Sequence, residues 1–367
     1  MSRWAWAEVS AAAIEHNVRQ IVERVAPSRV WAVVKADGYG HGAVLAAGAA
    51  LSGGADGLCV ALVHEGVQLR EAGITAPVLV LSEQPAEQVA SAVRHGLQLT
   101  VYSAAAIDAI ANAGGVDHPV HLKVDTGMRR VGSAPSDARA IADAIAASGA
   151  TRLVGVFTHL AVADEPGNPY TDAQLDLFEE VVAGLRAAGH RPDLVHAANS
   201  AGALAHPRSR HDMVRAGIAI YGISPGSGVD HLCSDLQPAL SLHARVSHVK
   251  RVAAGDRISY GLRHTFDRAT TVATLPIGYA DGVPRRLYAT GGAVLIGGVP
   301  RPLTGVVTMD QLMVDCADDA VHVGDEAVLI GTQGGRSVTA TDWADALGTI
   351  GYEIVCGLSA RVERRSV

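Results

Sequence analysis

The stretch Ala32-Val33-Val34-Lys35-Ala36-Asp37-Gly38-Tyr39-Gly40-His41-Gly42 joins a short apolar, β-branched run to a glycine-rich turn, and an Ala/Leu-rich segment of helical character follows it. This pattern ends a strand at Lys35. The preceding Trp31-Ala32-Val33-Val34 reads as buried on both faces, as in a parallel sheet, and a lysine is rarely buried there without a partner. Two readings of Lys35 stand side by side. It is either a lysine snorkelling at a barrel rim, or an amine held as a Schiff-base nucleophile with Gly38, Gly40 and Gly42 letting backbone approach a ligand.

Working outward, apolar runs recur at Val30–Val34, Gly57–Val63, Pro77–Leu81, Leu97–Tyr102, Pro119–Val124, Leu153–Thr158, Asp193–Ala197 and Met213–Ile220. Helical segments such as Ala86–Arg94, Asp137–Ala147 and Thr171–Ala188 alternate with them, and a further helix is expected over Ala11–Val25. Eight such repeats predict a (β/α)8 TIM barrel over residues 10–224, with a doubly wound sheet as the alternative. After Gly222 a Pro/Gly linker leads into short alternating segments: Leu240–Arg251, Thr270–Ile277, Gly292–Ile296, Thr304–Asp315 and Glu326–Ile330. A mostly antiparallel β domain is expected over 225–367, joined by an extended N-terminal segment within residues 1–9.

The chain has 367 residues, 49% hydrophobic and 18% charged, enough for two domains with real cores. A net charge of -7 argues against nucleic acid or an anionic membrane as the main partner, so a small solute is the expected ligand. With Arg3 and Glu8 interrupting the apolar N-terminal residues, the expectation is a cytoplasmic protein. Cys59, Cys233, Cys316 and Cys356 are far apart, which suits buried reduced thiols better than disulfides or a metal site.

In a barrel of this kind the C-terminal ends of the strands carry the chemistry. Lys35, Lys123, Asp125, His159, Asn199, Ser200 and Arg215 all fall there. Each alone is equally well a satisfied polar group at the rim, but their concentration on one face points to a site. Ser200, Gly217, Tyr39 and Tyr352 offer hydroxyls and a glycine turn suited to an anion such as phosphate; capping by Ser200 and a tyrosine at a domain boundary are the structural alternatives.

The segment Val33-Val-Lys-Ala-Asp-Gly-Tyr-Gly-His-Gly42 resembles the cofactor-lysine segment of bacterial alanine racemases, which use pyridoxal 5'-phosphate. Further motifs similar to that family follow in order: Lys123-Val-Asp-Thr-Gly-Met-Arg-Arg-Val-Gly132, Thr158-His-Leu160, His196-Ala-Ala-Asn-Ser200, Val214-Arg-Ala-Gly-Ile218, Ser259-Tyr-Gly261, Ile277-Gly-Tyr-Ala-Asp-Gly282, Met309-Asp-Gln311 and Gly351–Arg361. They cover almost the whole chain.

The resemblance implies interconversion of L- and D-alanine by two-base proton transfer, supplying D-alanine for peptidoglycan. It makes Lys35 the cofactor lysine and one base, and Tyr260 the other base, contributed by the partner subunit of a homodimer with shared sites. Tyr39, Ser200, Gly217, Ile218 and Tyr352 then surround the cofactor phosphate, with Asn199 and His159 in the same site. Arg130 would contact cofactor and substrate carboxylate, Met309 and Tyr279 would bind substrate, and Lys123 aligns with a lysine often carbamylated. Arg215 would face the pyridine nitrogen, where the related barrel-fold decarboxylases usually carry an acidic residue. A non-catalytic pyridoxal-phosphate carrier, generally a barrel alone, is a further alternative that the residues after Gly222 disfavour. Two departures stand out: Thr308 where the family often has cysteine, and Arg129 where it often has glycine.

Overall fold

The computed structural model describes residues 4–367, and residues 1–3 of the expected terminal strand lie outside that range. Two units make up the chain, Ala12–Gln237 and a second one formed by residues up to Ala11 with Pro238–Val367.

The chain opens with β1 (Ala5–Val9) and the helix Ala11–Val25. That helix buries Ala13, Ile14, Asn17, Val18, Ile21 and Val25, the stripe expected of a 3.6-residue period. Eight parallel strands follow: β2 (Arg29–Val33), β3 (Gly57–Val60), β4 (Val78–Val80), β5 (Gln98–Val101), β6 (His118–Lys123), β7 (Thr151–Phe157), β8 (Leu194–His196) and β9 (Met213–Ala216). Their spatial order runs in sequence from β8 back to β2 and then to β9. No order reversal interrupts it, so the doubly wound alternative falls. Between β8 and β9, Asp212 N–H donates to Val195 O and Arg215 N–H to Ala198 O, both at 3.0 Å, which brings the two ends of the sheet together. The last barrel strand stops at Ala216, earlier than expected, because Ile218–Tyr221 coils into a 3-10 turn after Gly217.

The barrel unit also keeps residues 225–237, which the sequence reading placed in the next domain. Asn17 explains this: its side-chain amide donates to Ile220 O (3.0 Å) and Gln237 O (2.8 Å), and its carbonyl accepts from Gln237 N–H (2.7 Å). Arg24 donates to Leu232 O at 2.6 Å, and Val229 is fully buried, so this segment is fastened to the first helix.

In the second unit, β10 (Leu240–Arg245) pairs antiparallel with β1, which pairs parallel with the C-terminal strand Glu363–Ser366. The segment expected as one strand from Leu240 to Arg251 breaks at Val246-Ser247. Its second half, β11 (His248–Val252), enters a separate antiparallel sheet with β12 (Thr270–Leu275) and β13 (Leu312–Asp315). The expected strand Thr304–Asp315 survives only as β13, because Gly305 is left-handed (φ 70°) and Thr308 closes a turn with Gln311. Cys59 and Cys316 are buried and burial pushes the Cys59 thiol up to about 12, but Cys356 is exposed and Cys233 half-buried. The short helix Gly351–Cys356 turns Ile354 and Val355 inward and leaves its last residue outside. No helix among the described residues is long and apolar enough to cross a membrane.

One glycine is fixed by this packing. Between Val120 and His121 the β6–β7 register shifts, so that Gly155 faces His121, and a Cβ at 155 would overlap the imidazole. Gly155→Ala should destabilise the protein by about 1–3 kcal/mol or more, whereas Gly184→Ala, on an exposed helix turn with open space around it, should stabilise by about 0.5–1 kcal/mol. Urea unfolding of the two variants checks the contrast.

Candidate active site

After Val34 the chain does not stay extended. Ala36, Asp37, Gly38, Tyr39 and Gly40 take φ of 52°, 52°, 61°, 52° and 80°, one turn of left-handed backbone. Gly38 N–H donates to Val34 O (2.9 Å), Gly40 N–H to Ala36 O (3.0 Å) and Gly42 N–H to Asp37 O (2.8 Å). For L-residues such backbone costs about 1–2 kcal/mol each, so it persists only where its surroundings hold it. Glu65 is the main clamp. Its carboxylate accepts from Ala36 N–H (2.7 Å), Ala61 N–H (2.8 Å) and Leu62 N–H (3.0 Å), while Asp37 accepts from Ala43 N–H (2.8 Å). Lys35 is thereby set, half-buried, at the C-terminal rim where β2 ends.

The same turn buries Tyr39 against Tyr221, with ring centroids 5.2 Å apart. Ser200 Oγ accepts from Gly217 N–H at 2.8 Å, and a Cβ on Gly217 would sit 2.8 Å from the Tyr39 hydroxyl. Tyr39, Ser200 and Gly217 therefore gather at one place, with buried Ile218 following. Asn199 caps the helix Ser200–Ala205, its side chain accepting from Gly202 N–H at 2.9 Å.

Around this cradle the barrel mouth is electropositive. Arg215 is buried; its guanidinium donates to His196 Nδ1 (2.7 Å), Thr158 O (2.8 Å) and Ala197 O (2.9 Å), and lies 3.4 Å from His159 Nδ1. Burial, then the charges of Arg215, Arg130, Lys123 and Lys35, hold His159 well below the ordinary histidine range. Lys123 lies above the Phe157 ring at 5.4 Å. Burial, with Arg215 and Arg130 beside it, brings its amine down to about 8. Arg130 is exposed in the loop after β6, which Asp125 shapes by accepting from Gly127 and Arg129 N–H, both at 2.9 Å. Arg129 itself has φ 55°, a conformation that glycine takes without strain, and this accounts physically for the glycine preference implied at that position.

Within the second unit, Tyr260 follows left-handed Ser259 (φ 63°) and is 71% exposed, far more than a ring spends in a core. It lines an open recess of about 640 Å³ with Thr308, Ser259 and Lys250. Tyr279 N–H donates to Thr308 O (2.9 Å) and Ala280 N–H to Met309 O (3.0 Å), so Tyr279 and Met309 come together. A Cβ on Gly278 would overlap both carbonyls, and glycine is what allows that approach. The Thr308 hydroxyl donates to Gln311 O at 2.8 Å, so it closes its own turn. Tyr352 is half-buried in the helix Gly351–Cys356.

Sequence reasoning missed Glu65, Gln98 and His121, and gave His196 no role. The two-residue period of a strand places His121 on the same face as Lys123, a signal that was available. For Glu65 the bond that matters to the turn, from Ala36 N–H, comes from 29 positions away, and no local pattern announces it.

Comparison with known proteins gives a consistent result. A family described as "Alanine racemase, N-terminal domain" matches residues 9–225, and "Alanine racemase, C-terminal domain" matches 239–366. The alanine racemase of Symbiobacterium thermophilum is 50% identical over 366 residues, covering 99% of this chain and 97% of that protein. That of Thermobifida fusca is 46% identical over 371 residues, covering 99% and 98%. Among solved structures, alanine racemase from Bacillus anthracis with bound L-Ala-P superposes with a TM-score of 0.95 at 39% identity, covering 100% of this chain and 96% of that one.

The clamp on the left-handed turn generates a direct test. In Glu65→Ala, three backbone donors lose their acceptor, at about 1–3 kcal/mol for each that stays buried. Amide exchange at Ala36, Ala61 and Leu62 should accelerate strongly while β6 and β7 keep their protection. Unchanged exchange at Ala36, whatever Ala61 and Leu62 do, would show that the turn does not depend on Glu65.

Proposed function

The chain belongs to the alanine racemase family, and from that premise we propose how its own residues carry the reaction. The activity is isomerisation of L- and D-alanine. We further propose pyridoxal 5'-phosphate as cofactor, a homodimer as the working form, and peptidoglycan assembly as the destination of the D-alanine.

The residues present fit that cofactor. Lys35, Lys123, Arg130 and Arg215 all act on His159, with Asp125 the carboxylate that offsets the charge on Lys123, so the barrel mouth favours an anionic ligand. This surplus of positive charge, next to the Tyr39–Ser200–Gly217 cradle, is the observation that carries the reading. Lys35 would hold the cofactor through its ε-amine, and Tyr39, Ser200, Gly217 and Ile218 its phosphate, with Asn199 fixing the helix that presents Ser200. When bound, pyridoxal phosphate withdraws electrons from the substrate α-carbon and makes its proton removable.

The remaining work belongs to the protein. Inversion needs a proton acceptor on one face of the α-carbon and a donor on the other. Lys35 Nζ is the group proposed for one face and Tyr260 Oη of the second subunit for the other. Arg130 suits the substrate carboxylate through its planar fork, and the Met309 backbone N–H supplies a second donor beside Tyr279. Arg215 has only donors and stays charged, so it cannot share a proton with a ring nitrogen facing it, unlike the acidic residue of the decarboxylase reading. The exposed Tyr260 and Met309 fit a surface that a second copy covers.

A complementation experiment tests the shared site. Lys35→Ala and Tyr260→Phe homodimers should each form D-alanine from L-alanine at least about 100-fold more slowly, the range of a lost general base. Subunit exchange between them should restore part of the rate, because one of the two sites in a mixed dimer keeps both groups. No recovery with demonstrated mixed dimers would contradict the shared site.

A further inference from the structure

Barrel interiors of this type are normally filled by layers of apolar side chains. Here a polar line crosses the interior instead. From Gln98 at the start of β5 it passes through His121 of β6 and His196 of β8 to Arg215 of β9. Gln98 Oε1 lies 2.7 Å from His121 Nε2, His121 Nδ1 3.0 Å from His196 Nε2, and His196 Nδ1 2.7 Å from Arg215 Nη1. Both imidazoles are fully buried. Phe157 stacks on His196 with centroids 4.7 Å apart, Trp31 packs at 6.0 Å from His121, and the β7 bulge with Gly155 clears the space His121 fills. A buried polar network is stable only if every member is satisfied.

The direction of this line is forced from one end. A guanidinium has donors only, so His196 Nδ1 must accept and its proton must sit on Nε2. That N–H donates to His121 Nδ1, which puts the His121 proton on Nε2 as well, facing the Gln98 carbonyl oxygen. A second proton on His196 would set two N–H groups face to face at 2.7 Å. Burial and the charge of Arg215 bring His121 down to about 3 and hold His196 well below its usual range, in keeping with two neutral rings. Every acceptor on Arg215, including Thr158 O and Ala197 O, is therefore uncharged.

We propose that Gln98 and His121 are positioning residues for Arg215: by locking the tautomer of His196 they fix the guanidinium in place without neutralising it. A carboxylate would hold the guanidinium as firmly but cancel the charge it presents to its ligand. The inference rests on the reading of Arg215 as the group facing the cofactor's ring nitrogen, where its full charge opposes protonation of that nitrogen.

Histidine 15N NMR of the holoenzyme at neutral pH, compared with the variants His121→Leu, Gln98→Leu and His121→Gln, is the test. In the unsubstituted protein both rings should show the neutral Nε2–H tautomer. His121→Leu removes the acceptor of His196: its single-tautomer signal should be lost, kcat should fall about tenfold with KM changed less than about twofold, the lower end of what outer partners of functional groups contribute, and the ratio of pyruvate to D-alanine formed should rise. Gln98→Leu, at the half-exposed end of the line, should move the same readouts in the same direction and decides the matter if His121→Leu does not fold. His121→Gln, which can accept from His196 and donate to Gln98, should restore the wild-type product ratio. A proton on Nδ1 of His196, or Leu variants that fold with unchanged tautomer, kcat and product ratio, would overturn the inference. Arg215→Glu separates the two levels. A shifted product ratio there with none in the Leu variants refutes only the positioning line, whereas no shift in Arg215→Glu refutes the reading of Arg215 on which it rests.

Discussion

A single turn of left-handed backbone, Ala36 to Gly40, is the constraint on which the rest of the site depends. Three of its five residues are not glycine, and L side chains there cost about 1–2 kcal/mol each. The barrel offsets part of that cost through Glu65, which accepts from Ala36 N–H in the turn and is itself anchored by Ala61 and Leu62 N–H, and through the bond that Ala43 N–H donates to Asp37. What the strain achieves is geometric. The turn ends β2 abruptly at the rim, leaves Lys35 at the mouth, and folds Tyr39 back beside Gly217. Neither an extended strand nor a right-handed helix would place residues 35 and 39 in this way.

Charge at the barrel mouth follows from the same economy of space. Lys123 and Arg215 are both buried there, and burial with the charges of Arg215 and Arg130 brings the Lys123 amine down to about 8, so it gives up its proton more readily than a free lysine, while Asp125 opposes that shift. Burial also keeps His121, His159 and His196 neutral, so they add no charge of their own, and the His121 and His196 rings each accept one hydrogen bond and donate another. An electropositive mouth over a neutral hydrogen-bonded interior suits an anionic cofactor and a carboxylate substrate. Tyr260, Tyr279 and Met309 belong to the other unit, where close backbone approaches at Gly278 and Gly305 set the turns that present them.

Much of this was legible in the residues. Continuous apolar runs alternating with helical segments pointed to the barrel, and the glycines after Lys35 marked a strand end where backbone comes close to something else. The handedness of that turn was not legible, because Ala36, Asp37 and Tyr39 individually prefer other conformations and are held by bonds to residues outside the turn, Ala36 N–H to Glu65 and Ala43 N–H to Asp37. The bulge opposite His121 was hidden for a similar reason: it depends on register between two strands, which a single strand's pattern does not carry. Residues 304–311 read as a strand by composition, but left-handed Gly305 and the Thr308–Gln311 turn redirect them. The later end of the barrel unit, at Gln237, traces to Asn17, whose three hydrogen bonds span more than 200 residues of sequence.

In the proposed reaction Lys35, held by the strained turn, and a tyrosine on the opposite face each handle the α-proton, so that inversion passes it from one group to another through exchange with solvent. Racemisation of L-alanine in D2O, sampled at early conversion, tests this most directly. Nearly all D-alanine formed should carry deuterium at the α-carbon while the remaining L-alanine stays almost unlabelled. D-alanine that retains the original proton, or L-alanine labelled as fast as product appears, would mean that one group serves both faces and would contradict the proposed reaction.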